Sequence, residues 1–99
     1  MSRLALHREL QEFADVVYFQ PPSNIRMNYP CIIYHKIPKI KEYANDKWYF
    51  KKQGYQITVI DRDPDSLIAD DLEDHFQYCS ISQYFNNDNL HHVILELYY

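Results

Sequence analysis

Apolar positions in SRLALHRELQEFAD (2–15) recur at Leu6, Leu10 and Phe13, the spacing of a single helix face. Ser2 is a cap candidate, and Arg3, Arg8, Glu9 and Glu12 solvate the other side. VVYFQ (16–20) predicts a short strand stopped at Pro21 and Pro22, and CIIYHKI (31–37) a second one held between Pro30 and Pro38. PKIKEYANDKWYFKKQG (38–54) is a long connection turning at 44–46, with room for an extra hairpin over 40–52. YQITVIDRD (55–63) alternates Tyr55, Ile57 and Val59 against Gln56, Thr58 and Ile60, the clearest strand of the chain. DPDSLIADDLEDHF (63–76) predicts a helix with Asp63 as cap, Pro64 in the first position and Asp65 at the positive end of the dipole. Its apolar stripe is Ile68, Leu72 and Phe76. CSISQYF (79–85) and HHVILELYY (91–99) complete the set as strands joined by a hairpin turn at 86–89. The expected fold is a single α+β domain over 1–99. It is a sandwich of an antiparallel-rich sheet and two helices, in the order α-β-β-β-α-β-β.

Composition sharpens this picture at one point. There are 10 tyrosines, 5 phenylalanines and 1 tryptophan, but a single glycine, so tight turns must rely on Asn, Asp and Pro. Tyrosine serves equally as a strand former and as a residue of partly wet contact surfaces. The net charge of −4 argues against a general nucleic-acid binder, which needs a basic surface. No apolar run approaches the ~18 residues of a membrane span, and the first residues read as an amphipathic helix instead of a signal peptide. Cys31 and Cys79 stand far apart with no metal-ligand spacing, which fits two reduced, buried thiols in a cytosolic setting.

Charge is segregated along the chain. Positions 36–52 hold six lysines against Glu42 and Asp46, whereas 61–74 hold seven acids against Arg62 alone. Two solvated faces would explain this, and so would a subunit that meets its neighbour head to tail, basic patch on acidic patch.

Enzyme chemistry finds little support. DRDPD puts Asp61, Asp63 and Asp65 at alternate positions like the start of a calcium loop. Ser66 stands where the sharp turn needs glycine, however, and Leu72 where a bidentate Glu is needed. No strand carries the Glu-x-Lys pattern of a metal-dependent nuclease. His91 and His92 are adjacent, so a strand sends them to opposite faces. His75 beside Asp74 suggests partial protonation, not catalysis. Cys31 and Cys79 open strands among apolar neighbours, the setting of inert thiols. With Gly54 the sole glycine, no phosphate-cradling loop exists. No catalytic set, metal or cofactor is expected.

VYFQPPSNIRMNYPCIIY (17–34), YANDKWY (43–49), YQITVIDRDPDS (55–66) and NLHHVILELYY (89–99), in this order, resemble the tail terminator or tail completion proteins of long-tailed bacteriophages. The resemblance runs from Val16 to Tyr99. It implies a virion component without catalytic residues, with an α+β sandwich fold, assembled in the host cytoplasm. Its subunits would form a hexameric ring on the head-proximal end of the tail tube, touching the tube protein below and the neck or head completion protein above. It implies neither nucleic-acid specificity nor a membrane. A neck adaptor of the same virion and a small phage-encoded binding module are the competing readings.

The site residues expected on this basis are interaction residues. The prolines make 20–30 a stiff, extended loop, with Gln20, Pro21 and Tyr29 held out of helix. Arg26 and Met27 in its middle are contact residues by chemistry. Lys47, Trp48, Lys51 and Lys52 represent the basic aromatic connector, and Asp70, Asp71 and Asp74 the acidic helix.

Overall fold

A computed structural model describes residues 3–22, 28–44 and 47–99, and over 38–44 and 47–52 it describes the backbone alone. The elements are α1 (Arg3–Leu10), β1 (Val16–Phe19), β2 (Cys31–Ala44), β3 (Lys47–Asp61), α2 (Ile68–His75), β4 (Cys79–Asn87) and β5 (Leu90–Tyr98). The α+β class and the element order agree with the expectation. One five-stranded sheet has the order β1-β2-β3-β5-β4. β1 runs parallel to β2, and every other pairing is antiparallel.

Strand alternation decides which residues enter the core. Ile32 and Tyr34 of β2, Tyr55, Ile57 and Val59 of β3, and Leu95 and Leu97 of β5 share one face. Leu6 and Leu10 of α1 and Ala69, Leu72 and Phe76 of α2 close over them in a single cluster. Both helices therefore cover the same side of the sheet. Full burial of a Leu such as Leu72 or Leu95 contributes about 2–3 kcal/mol each.

Two tyrosines belong to this core. Tyr34 is fully buried, its hydroxyl 2.7 Å from His7 Nδ1 and 3.2 Å from Arg3 Nη1. Burial, then the Arg3 charge, lowers the pKa of His7. Arg3 donates to the Tyr34 hydroxyl while lying 4.3 Å over the Phe19 ring. Here aromatic richness serves packing.

The boundaries differ from the sequence reading in instructive ways. α1 ends at Leu10, and the chain continues in looser turns, with Phe13 N–H donating to the Leu10 carbonyl at 3.0 Å. Phe13 still leans on the core. α2 starts at Ile68, later than expected, because the acids before it are spent on turns. Asp61 accepts from the Asp63 N–H at 3.0 Å, and Asp63 from the Asp65 N–H at 2.9 Å. Ser66 N–H reaches the Asp63 carbonyl at 3.3 Å, which makes Pro64 the second residue of a β-turn and not the first of a helix. The cap position falls to Leu67, which makes no side-chain cap bond. At the other hairpin, Asp88 and Asn89 adopt φ 51° and 62°, the two left-handed residues of a tight turn that the Asn/Asp run anticipated.

β2 does not stop at Pro38. It runs on to Ala44 because β1 accompanies it only as far as Tyr34, leaving a free edge where the missing N–H costs no ladder bond. A register shift between Ile37 and Ile40 absorbs the proline. The hairpin option over 40–52 is thus realised within strands of 14 and 15 residues, against 9 for β5.

Candidate assembly surfaces

β3 is flanked by different neighbours along its length. From Gly54 to Asp61 it pairs with β2 on one side and β5 on the other. Before Gly54 it has β2 alone. Gln53 marks the transition: its side-chain amide donates to the Ile37 carbonyl at 2.8 Å and the Gly54 carbonyl at 3.0 Å, and its own carbonyl accepts from Tyr99 N–H at 3.0 Å. Beyond that clamp, β2 and β3 form a two-stranded arm, and the chain measures 49 × 25 × 22 Å. Lys47, Trp48, Lys51 and Lys52 all fall on this arm, opposite Ala44, Tyr43, Lys41 and Ile40 in the ladder. Lys41 and Lys51 occupy directly paired positions in the ladder.

At the far end of the same strand, the turns over 61–67 and the β4–β5 hairpin enclose a cavity of about 390 Å³. Val59 and Val93 form part of its wall, with Asp61, Asp63, Asp65 and Asp70 around it. Tyr84 and Leu67 also line it, 67% and 65% exposed, unusual values for such large apolar side chains. His91 Nδ1 lies 2.7 Å from Asn86 Oδ1, which fixes the ring as donor at that nitrogen, and the adjacent His92 stacks on Phe85 at 4.5 Å. The pleat sends the two histidines to opposite faces, as expected from their adjacency.

The structure thus joins Asp70 to acids that the sequence reading had assigned to capping, whereas Asp71 and Asp74 are exposed elsewhere on α2 and do not line the cavity. Tyr84, Asn86 and His91 went unnoticed as site residues; an aromatic pair, Tyr84 and Phe85, ahead of a polar turn was the available signal. Arg26 and Met27 lie outside the described residues. The loop that carries them leaves β1 through Gln20, which is not extended but left-handed at φ 44°. Its N–H donates to the Tyr34 carbonyl at 2.9 Å, and its Oε1 accepts from Lys36 N–H at 3.4 Å. The loop rejoins the sheet through a cis Tyr29–Pro30 peptide, with Arg62 5.8 Å from the Tyr29 ring.

Both thiols are free and open β2 and β4. Burial pushes Cys31 up to about 11; burial and then Glu73 push Cys79 to about 11. At neutral pH both are protonated and weakly nucleophilic. Among the described residues no group of three or more His, Cys, Asp or Glu side chains is arranged to hold a metal ion, and no helix is long and apolar enough to cross a membrane. His75 is occupied structurally, with Nε2 3.2 Å from Glu9 Oε1 and its ring 5.1 Å from Phe13.

No family model matches this chain, and no curated protein does. Its function must be argued from the arm, the cavity and the chemistry between them.

Proposed function

We propose that the protein is a non-catalytic assembly subunit, a tail terminator that forms a ring on the head-proximal end of a phage tail tube and joins it to the neck. The observation that carries this reading is the unsupported arm. A lone two-stranded ribbon is marginal in water, since it cannot bury a face of its own. A chain that extends two strands beyond its own sheet, with paired lysines in the ladder, gains from a second polypeptide that covers and neutralises them. Protonated, poorly nucleophilic thiols fit a structural role. On this reading the partners are copies of the same chain, the tail tube protein and a neck or head completion protein, and the protein works in the virion after assembly in the host cytoplasm.

The test is electron imaging of the purified protein, alone and mixed with tails that lack it. Rings seated on one end of each tail are expected. Rings that bind heads but not tails would move the protein to the neck adaptor class. A protein that binds neither would overturn the assembly reading in favour of a separate binding module.

A further inference from the structure

We propose that the cavity at the Asp61 end of the sheet is the seat for the β2–β3 arm of a second copy of this chain, an inference that rests on the assembly reading above. The arm and the cavity lie at opposite ends of one strand. β3 enters the sheet at Gly54 and reaches the cavity at Asp61, about 23 Å further on at ~3.3 Å per residue. A chain whose arm leads away from its own cavity can fill that cavity only with another chain's arm. Contacts between two different surfaces on identical subunits propagate head to tail and close into a ring when the rotation allows.

The chemistry of the two surfaces matches. The arm sequence interleaves lysines with Tyr43, Trp48, Tyr49 and Phe50. The seat offers the complement: acids at Asp61, Asp63, Asp65 and Asp70, with exposed apolar surface on Leu67 and Tyr84. Its volume of about 390 Å³ lies within the usual size of pockets that enclose a small ligand, enough for aromatic side chains of an inserted ribbon. Opposite charges set in an apolar surround give register and partner choice, and aromatic anchors supply the affinity.

The experiment uses charge reversal on the whole chain. Lys51→Glu with Lys52→Glu turns six lysines against two acids over 36–52 into four against four. Asp65→Lys with Asp70→Lys leaves the seat two acids against two lysines, and no side-chain hydrogen bond of either carboxylate is found among the described residues. Sedimentation at low salt is expected to give oligomers for the natural chain and at least a tenfold weaker association for each variant alone, since each then loses the charge complementarity of arm and seat. An equimolar mixture of the two variants is expected to assemble again, because the natural arm of one meets the natural seat of the other and the substituted arm and seat carry opposite charges at the four changed positions. That recovery also establishes that both variants fold. Tyr84→Ser, which leaves the charges alone, is expected to weaken assembly as well. If the natural chain assembles and the seat variants assemble equally well, the arm docks elsewhere and the seat proposal is overturned while self-assembly stands. A natural chain that stays monomeric at every concentration, alone and on tails, overturns both.

Discussion

The two halves of β3 make different demands on the rest of the molecule. From Gly54 to Asp61 the strand has a partner on each side, and its Tyr55, Ile57 and Val59 are buried under two helices. From Lys47 to Gln53 it has one partner strand. The first half is stabilised by its own chain, through apolar area removed from water. The second half places Lys47, Lys51 and Lys52, with Trp48, Tyr49 and Phe50, in a two-stranded ribbon, which is marginal by itself. One strand therefore passes from the core sheet into a two-stranded ribbon, and Gln53 marks the boundary.

Substitutions should respect that division. Leu72→Ala removes a fully buried side chain beneath the sheet and is expected to cost about 2–5 kcal/mol, read as a lowered midpoint in urea. Lys51→Glu with Lys52→Glu should leave that midpoint and the cooperativity of melting unchanged while weakening the proposed assembly at least tenfold. Loss of cooperative melting in the arm variant would place the arm in the core and erase the contrast.

Acid titration probes the core half alone. The pKa of His7 is lowered from 6.5, so the folded state resists its protonation more than the unfolded chain does. The stability this confers is complete above pH 6.5 and is lost as pH falls through the lower folded value. His7→Gln should therefore show a shallower loss of stability than the natural chain as pH falls below 6.5. Equal slopes would mean that the burial of His7 beside Arg3 does not govern the titration.

A smaller effect is expected at the alkaline end. Tyr99 donates its hydroxyl to Glu9, tying the last residue to α1, and that bond, with burial and the Glu9 charge, pushes its pKa from 10.0 up to about 12. The contribution is intact below pH 10.0 and disappears as pH rises through about 12. Tyr99→Phe should flatten stability over that window, as followed by circular dichroism. Thiol reactivity gives the finest distinction. Both cysteines should label slowly at pH 8, with fully buried Cys31 slower than half-buried Cys79. Mass spectrometry of timed alkylation distinguishes them, and fast labelling of Cys31 in the folded chain would contradict its burial.

Much of the fold was legible because alternation and helical spacing coincide with what the core buries: Tyr55, Ile57 and Val59 on β3, Leu72 and Phe76 on α2. The errors arose where a local rule met a nonlocal fact. Pro38 ends a strand only if its N–H is needed, and no local pattern reveals that β1 stops alongside Tyr34. Asp63 and Pro64 have the chemistry of a helix start, yet the same groups close a turn equally well, and the turn prevailed. The candidate site was half visible. Charge segregation along the chain identified the arm and the acids. The cavity joins 61–70 to 84–93 through the β3–β5–β4 ladder, so Tyr84 and His91 became site residues only once strand order was known.

Hydrogen exchange compares the two halves of β3 most directly. In the dilute monomer the arm amides over 39–44 and 47–53 should exchange quickly while those of Ile57 and Val59 are strongly protected. In the assembled state the arm should become protected with the core half unchanged. Arm amides protected in the monomer as strongly as those of Ile57 would contradict the account, because the ribbon would then be stable without a second chain to receive it.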